Sequence, residues 1–250
     1  MIEISSSQNQ RYKVWLKLLD GRGIKKHGLA LIAGRKILGE FLEQFPHRVQ
    51  GVIVKDELDA QSLALPAGCP LYLLPQSLFA PLDIYGIKGP ILLVEAAPLP
   101  QWDGNLPEGL TIFLPFQNPI NLGTTIRTAA AFGAAVVLLE EAAMPYLPKC
   151  LRASGPAIFQ TRLFSGPALQ HLASYEHLPI FALSPEGKDI FSFPFSSHKS
   201  IGLVAGMEGP GLDAYWPLEK RLRIPMKSHV ESLNAAIAMG IAVAFQAAQA

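Results

Sequence analysis

Short apolar runs divide the first part of the chain into segments of strand length and of helix length. Four short, mainly apolar runs predict buried strands, at residues 29–33, 49–54, 71–74 and 91–94. Two helical stretches accompany them, at residues 10–19 and 36–45. This pattern predicts a small α/β unit at the N-terminal end of the chain.

Strands and helices alternate more regularly in the second part of the chain. The predicted strands are residues 110–116, 135–139, 179–183, 200–205 and 222–225. We expect one helix at about 122–132 and a final helix from about Glu231. Such alternation predicts a mostly parallel sheet covered on both faces. Ligands of these sheets bind at the loops that follow the strands, which here are residues 117–123, 184–188, 206–211 and 226–232.

The segment between the two parts has the composition of a linker. Residues 96–109 contain three prolines and two glycines and little apolar periodicity. We therefore predict a first domain at 1–98, a linker at 99–109 and a second domain at 110–250.

The composition restricts the kinds of protein to which this chain can belong. Half of the 250 residues are hydrophobic, but the most apolar stretch, residues 233–248, is interrupted by Asn234 and Gln246 and predicts a buried helix instead of a membrane span. The first residues lack the pattern of a secretory signal. Cys69 and Cys150 lie far apart and form neither a disulfide framework nor a metal-ligand pattern. We expect a cytoplasmic protein with no metal site and no membrane partner.

Charge is distributed unevenly along the chain. Residues 1–36 carry a net charge of +6, so the other 214 residues carry −5 of the total of +1. The cations of this segment are Arg11, Lys13, Lys17, Arg22, Lys25, Lys26, Arg35 and Lys36. A basic segment on an acidic body is typical of proteins that bind nucleic acid phosphates, although a solvated helix face followed by a polar turn has the same composition.

The first segment whose side chains could take part in a reaction is residues 118–133. Asn121 is expected at a strand-to-helix junction, where its side chain can cap the helix. Arg127 follows in the expected second turn, among apolar and small neighbours. A capped helix with one surface arginine explains the same residues.

The second segment is the glycine-rich turn at residues 206–212. Its three glycines allow the backbone to approach a ligand and to offer amide donors. A plain turn is the simpler explanation, but it does not account for the acidic Glu208 within the turn.

The third segment is residues 224–239. A short apolar strand ends, a polar loop follows, and Ser232 and Asn234 begin a helix of small residues. If Ser232 caps the final helix, the serine is explained. Asn234 is then a polar residue inside an otherwise apolar helix, and capping gives no reason for it.

Together and in this order, the three segments resemble the SpoU/TrmH family of RNA ribose methyltransferases, which belongs to the SPOUT superfamily. The matched positions are Asn121, Gly123, Arg127, Phe132 and Gly133 in the first motif, Gly206, Glu208, Gly211 and Leu212 in the second, and Ile224, Pro225, Met226, Ser232, Leu233 and Asn234 in the third. An intermediate element resembles residues 152–159. The likeness is strong over 110–247 and weaker over 28–36, which is similar to the start of a substrate-binding domain with a ribosomal-protein fold. Met207 and the pair Ala235 and Ala236 depart from the family pattern.

The resemblance implies an α/β fold: a C-terminal parallel-sheet SPOUT domain with a deep trefoil knot and a smaller N-terminal α/β domain that binds RNA. It implies a homodimer with its site at the subunit interface, for which a small-residue C-terminal helix is suited, although an ordinary core helix has the same pattern. The cofactor it implies is S-adenosylmethionine, held against Leu183, Gly206, Ile224, Met226 and Leu233.

The catalytic residues that the resemblance implies are Asn121, Arg127, Glu208, Ser232 and Asn234. We expect Arg127 to bind a phosphate and stabilise alkoxide character, because a guanidinium is a poor general base. The expected reaction is methylation of a ribose 2′-hydroxyl in RNA, with ribosomal RNA favoured over transfer RNA. The alternatives are an RNA-binding protein of this fold without catalysis, a SPOUT enzyme that methylates a base, and a nucleotide-dependent enzyme of Rossmann type, which the lack of a phosphate loop disfavours.

Overall fold

The computed structural model describes residues 1–56, 58–61, 63–207, 216–227 and 229–249. The chain forms two compact units, one of residues 1–98 and 144–156 and one of residues 99–143 and 157–250. The strands are β1 (Ile2–Glu3), β2 (Leu29–Ala33), β3 (Val49–Val54), β4 (Leu71–Leu73), β5 (Ile91–Glu95), β6 (Gly109–Leu114), β7 (Ala135–Leu138), β8 (Leu163–Ser165), β9 (Ile180–Asp189), β10 (Ser200–Val204) and β11 (Arg221–Arg223).

The α-helices are α1 (Gln10–Lys17), α2 (Gly21–His27), α3 (Arg35–Gln44), α4 (Leu58–Gln61), α5 (Gln76–Phe79), α6 (Pro119–Ala131), α7 (Pro148–Ser154), α8 (Leu169–Leu172) and α9 (Ala235–Ala247). Short 3-10 helices lie at Pro46–Arg48, Gly155–Phe159, Ile190–Ser192, Phe195–Ser197 and Leu218–Lys220. No helix in the described part of the chain has both the length and the apolar character that a bilayer crossing requires.

A mixed five-stranded sheet forms the centre of the first unit. Its strand order is β1-β4-β3-β5-β2, and β5 runs antiparallel to both of its neighbours, whereas the other pairs are parallel. The central residues of β3 and β5 are fully buried on both faces of the sheet, among them Val52, Ile53 and Leu92. The prediction of a small α/β unit is confirmed.

Segment 144–156 belongs to the first unit although it lies between β7 and β8 in the chain. Its helix α7 packs against β2 and buries Cys150 and Leu151 completely or nearly so. Neither this placement nor α7 itself was predicted from the sequence.

The second unit contains a six-stranded sheet in which every pair is parallel. Its strand order is β11-β9-β10-β6-β7-β8. The prediction of a parallel sheet is confirmed. Trp102, Phe113 and Trp216 pack in one hydrophobic cluster of this unit, with the rings of Trp102 and Phe113 5.1 Å apart.

Close packing within this sheet requires glycine at one position. A Cβ on Gly202 of β10 would lie 2.9 Å from the Ile180 side chain and 3.0 Å from the Phe113 ring. Both distances are shorter than carbon atoms tolerate. Gly202 therefore allows the side chains of β9 and β6 to meet over β10.

Both helices that carry the predicted site begin at a different residue from the one expected. Asn118 caps α6 by accepting a hydrogen bond from the Ile120 amide at 2.9 Å, and Pro119 occupies the first helical position, where proline is favoured. The expectation that Asn121 caps this helix is therefore wrong. Asn121 lies in the first turn instead, and Arg127, the ninth residue of α6, lies in the third turn and not in the second.

The final helix begins at Ala235 and not at about Glu231. Asn234 is its N-cap and accepts hydrogen bonds from the amides of Ala236 at 2.9 Å and Ile237 at 3.2 Å. Its position is therefore at the helix end and not inside an apolar helix, and Ser232 lies in the preceding loop. A side-chain amide outside the helix remains able to reach across to a neighbouring segment.

Candidate active site

A pocket of about 480 Å³ lies in the second unit, beside the middle of β9 and the segments that follow β10 and β11. It is lined by Asn118, Asn121, Leu183, Ser184, Pro185, Ala205, Gly206, Met207, Leu222, Ile224, Met226, Ser232, Leu233, Asn234, Ala235 and Ala238. The neighbouring strands β6 and β10 are followed by segments that continue to opposite sides of the sheet, towards β7 and towards β11. A ligand site is expected where a parallel sheet reverses its strand order in this way.

The predicted cofactor residues all line this pocket. Leu183 belongs to the irregular middle of β9, Gly206 follows β10, and Ile224 and Met226 follow β11, while Leu233 precedes α9. Part of β9 and three later segments, up to 50 positions apart in the chain, therefore converge on one space.

The wall formed by β9 depends on an irregularity in its pairing with β11. Arg221 pairs with Ala182 and Leu222 pairs with Lys188, so residues 183–187 have no paired partner in β11, and three of them, Leu183, Ser184 and Pro185, line the pocket. Gly187 has a φ of 114°, and a Cβ there would overlap the carbonyl group of Arg221. The Arg221 guanidinium also contacts the Glu186 carboxylate at 3.2 Å and donates to the Trp216 carbonyl at 2.9 Å. These contacts hold residues 186 and 187, next to the pocket-lining part of β9, against β11.

Three of the predicted catalytic residues, Asn121, Ser232 and Asn234, lie together at the pocket. The Asn234 amide nitrogen donates to the Asn121 side-chain oxygen at 3.2 Å. This bond joins the first turn of α6 to the cap of α9, and the two helices pack against each other. The Ser232 and Asn234 side chains remain exposed and are accessible to a ligand.

Arg127 does not line this pocket in its own chain. It follows Asn121 by six positions in α6, which places it about 9 Å farther along the helix axis. Its side chain is exposed, and it makes no hydrogen bond or ion pair with any residue that the structure describes. Glu208, Gly211 and Leu212 lie outside the described residues.

The electrostatic character of the pocket comes from helix ends. None of its described lining residues carries a charge. The N-termini of α6 and α9, each a helix of 13 residues, both begin at its rim, at Asn118 and Asn234. Helix N-termini carry a partial positive charge, so the pocket favours an oxygen atom that gains negative charge.

Several lining residues were not identified from the sequence. Asn118, Met207, Leu222 and Ala238 complete the walls between the predicted positions. Only Asn118 had a local indication, since an asparagine directly before a proline is a common start of a helix. The other three are apolar residues whose role depends on the tertiary arrangement.

The eight predicted RNA-binding cations lie in the first unit, on or beside α1, α2 and α3. All except Lys13 are exposed. Arg11 lies 5.7 Å from the centre of the Tyr72 ring, and Lys36 approaches Glu40 at 3.9 Å. Their contact with RNA stays a prediction.

Comparison with known proteins adds a family match. Residues 110–244 match the model of the SpoU rRNA Methylase family. The chain is 30% identical over 256 residues to the 23S rRNA (guanosine(2553)-2′-O)-methyltransferase RlmP of Bacillus subtilis, with 97% of this chain and 98% of that protein covered.

A second relative is longer than this chain. The identity is 42% over 248 residues to the ribosomal RNA small subunit methyltransferase G 2 of Syntrophobacter fumaroxidans, with 96% of this chain covered. The match spans only 48% of that protein. The chain therefore spans about half the length of this curated relative.

Among solved structures, an AdoMet-bound rRNA methyltransferase from Sinorhizobium meliloti has the same fold. The TM-score is 0.78 at 20% sequence identity, and the match covers 98% of this chain and 96% of that one. At this identity the likeness concerns the fold alone.

Proposed function

Because the chain belongs to the SpoU rRNA Methylase family, we propose that it transfers a methyl group from S-adenosylmethionine to a ribose 2′-hydroxyl of ribosomal RNA. The observation that carries this proposal is the pocket at the switch point of the parallel sheet. Its walls combine the five residues predicted for the cofactor with three polar residues predicted for the reaction.

The pocket has the size and chemistry that this cofactor requires. About 480 Å³ lies within the range of small-molecule sites, and the walls are mainly apolar with a few polar groups. Leu183, Gly206, Ile224, Met226 and Leu233 would hold the cofactor, largely through backbone groups. When bound, S-adenosylmethionine would supply an electrophilic methyl group on a positively charged sulfur.

Asn121, Ser232 and Asn234 would orient the ribose hydroxyl. The bond between Asn234 and Asn121 holds both amides in place, so that they meet the substrate without further rearrangement. The N-termini of α6 and α9 would stabilise the negative charge that grows on the oxygen. Glu208 is proposed to pair with neighbouring donors, on the family resemblance alone.

We place Arg127 at a dimer interface, where it would act on the site of the second subunit. Its exposed position away from its own pocket supports this assignment. Exposed apolar side chains on α6 and α9 support a dimer as well. Ile120 of α6 is 53% exposed and Ile237 of α9 is 54% exposed. In either subunit the guanidinium would bind a phosphate of the RNA and stabilise alkoxide character.

The proposal includes a deep trefoil knot in the second unit. In support, the chain leaves β10, forms β11 beyond β9, and then returns to pack α9 against α6. A knotted C-terminal segment would follow such a return path. The knot would be one of the rare exceptions among protein folds.

The first unit is proposed to bind the RNA substrate through its basic residues. Full-length similarity to a protein described as a 23S rRNA methyltransferase favours ribosomal over transfer RNA. We place the reaction in the cytoplasm, where the two free cysteines, Cys69 and Cys150, would remain reduced.

The test combines cofactor binding with mapping of the product. Calorimetry should detect S-adenosylmethionine binding to the protein, and methyl transfer to unmodified large-subunit ribosomal RNA transcript should place the label on a ribose. The matched substrate, with a 2′-deoxyribose at the mapped nucleotide, should be inert because it lacks the acceptor oxygen. RNA binding without methyl transfer, or a label on a base, would contradict the proposal.

A further inference from the structure

A loop of the first unit is held in an unusual backbone conformation and carries a lysine at its most strained position. In residues 83–89 the buried Asp83 carboxylate accepts hydrogen bonds from the Ile87 amide at 3.0 Å and the Lys88 amide at 2.7 Å. Lys88 has a φ of 58°, the only positive φ of a non-glycine residue in the described chain. Left-handed backbone favours glycine or asparagine, so the two bonds to Asp83 hold Lys88 in a conformation that lysine seldom adopts.

The same loop supports an arginine from a distant part of the chain. The Arg152 guanidinium, on α7, stacks over the Tyr85 ring with its central carbon 4.2 Å from the ring centre. Such a stack holds the planar group in place while its edges stay available as donors. Arg152 is exposed, and so is Lys149, which lies three residues earlier on the same face of α7.

A fourth cation reaches the loop from α3. The side chain of Arg35 covers Gly89, where a Cβ would lie 3.8 Å from the Arg35 Cγ and 3.9 Å from its Nε. Gly34 directly before it faces Ile87 of the loop. Because α7 packs against β2 and Arg35 follows β2 after one residue, the three basic segments meet in one region of the first unit.

These cations are not neutralised locally. None of Arg35, Lys88, Lys149 and Arg152 makes an ion pair with a residue that the structure describes. The one acid of the loop, Asp83, is 9% exposed and is already bonded to two amides. Segment 144–156 contains no acidic residue. Exposed cations that make no ion pair with the described residues and are grouped around one loop are suited to a polyanion.

We propose that Arg35, Lys88, Lys149 and Arg152 form a phosphate-binding surface for the RNA substrate on the first unit. This inference rests on the proposed function, and it adds Lys88, Lys149 and Arg152 to the cations of residues 1–36. Arg152 donates to phosphate oxygens from its fixed stack, and the two lysines and Arg35 contribute charge around it.

The test measures how RNA binding depends on salt. Each lost phosphate contact should lower the slope of log affinity against log salt by about 0.7 to 0.9 and weaken binding about 3- to 10-fold. We would measure binding of unmodified large-subunit ribosomal RNA transcript by filter retention between 50 and 300 mM KCl. The variants are Lys88→Gly and Arg152→Ala, with Arg152→Lys as the charge-conserving partner.

Lys88→Gly separates binding from folding, since glycine relieves the left-handed backbone and keeps the amide that Asp83 binds. The charge-matched control is Lys199→Gln in the second unit, where Lys199 is exposed and pairs with Glu108 at 3.7 Å. We expect Lys88→Gly and Arg152→Ala to lower the slope and raise the KM for RNA with little change in kcat. Arg152→Lys should recover the slope, and Lys199→Gln should match the wild type.

An unchanged slope and KM in both Lys88→Gly and Arg152→Ala, in protein that methylates RNA, would overturn this surface and leave the proposed function intact. An equal fall in Lys199→Gln would also overturn it, because the effect would then follow net charge alone. Wild-type protein that binds no S-adenosylmethionine and methylates no RNA would instead overturn the proposed function.

Discussion

The Asn234 side chain caps α9 with its oxygen and donates its amide nitrogen to Asn121 at 3.2 Å. The two residues are 113 positions apart in the chain. One side chain therefore fixes the start of a helix and the position of a second polar group at the pocket. The two roles use different atoms, so substitution can separate them.

Asn234→Asp should keep the helix and lose the reaction. The aspartate oxygen still accepts from the Ala236 and Ile237 amides, whereas the donor to Asn121 is gone. We expect a melting temperature close to that of the wild type and a fall in kcat of at least about 100-fold, as for the loss of one oriented donor.

Asn234→Ala is the matched comparison, since it removes both roles. Loss of the cap should lower the free energy of unfolding by about 0.5 to 2 kcal/mol. Thermal unfolding and methyl transfer, measured on both variants, separate the two contributions. An active Asn234→Asp protein would show that the Asn121 contact has no part in the reaction.

The sequence predicted the strands best where they are continuous and buried. The bounds of β2 and β3 agree with the predicted segments, because aliphatic residues predominate in both and only Gln50 and Gly51 interrupt them. The short strands β1 and β8 were missed, since two or three residues carry no periodicity and form only by pairing with β4 and β7. The place of α7 in the first unit depends on contact with β2, which local sequence does not encode.

The ends of the site helices were misplaced for a related reason. Each helix has two residues near its start that can cap a helix, Asn118 and Asn121 for α6 and Ser232 and Asn234 for α9. Local preference does not choose between them. Pro119 fixes the start of α6, and the extended loop before Ala235 fixes the start of α9. The family resemblance, which rests on motifs and not on helix ends, is confirmed by the match over residues 110–244.

Arg127→Ala should abolish methyl transfer and leave cofactor binding intact. The residue does not line the pocket, so calorimetry should give the wild-type affinity for S-adenosylmethionine, while kcat falls by about 100- to 1,000-fold. Arg127→Lys keeps the positive charge but lacks the planar guanidinium that donates two parallel hydrogen bonds. It should therefore recover only part of the rate. Loss of cofactor binding in Arg127→Ala would mean that its role is misassigned.

Mixed dimers test which subunit Arg127 serves. In a heterodimer of Arg127→Ala and Asn234→Asp chains, one complete site forms if Arg127 acts on the opposite subunit. Each homodimer is then inactive, and the mixture regains activity. No gain on mixing, with heterodimers verified by differently tagged chains, would place Arg127 in its own subunit's site.

Thr111→Val should stabilise the protein. Thr111 on β6 is fully buried, and its hydroxyl has no hydrogen-bond partner among the described residues. Valine keeps the shape and removes the unpaired polar group, so we expect a gain of about 1 kcal/mol in the free energy of unfolding. That corresponds to a rise in melting temperature of about 2 to 4 °C. Thr128→Val, which removes a hydroxyl bonded to the Thr124 carbonyl at 3.1 Å, should give no such gain.

The two cysteines should differ sharply in reactivity. Cys150 on α7 is 0% exposed, and burial raises the pKa of its thiol to about 12. Because the thiolate is the nucleophile, only about one Cys150 thiol in ten thousand is reactive at pH 8. Burial also raises the pKa of Cys69, but its side chain is partly accessible.

Iodoacetamide at pH 8 should therefore label Cys69 alone in the native protein and both cysteines in denaturant, as read by peptide mass spectrometry. A Cys69→Ser variant should take up no label until segment 144–156 opens, so its labelling rate measures that opening. Rapid native labelling of Cys150 would contradict the packing of α7 against β2.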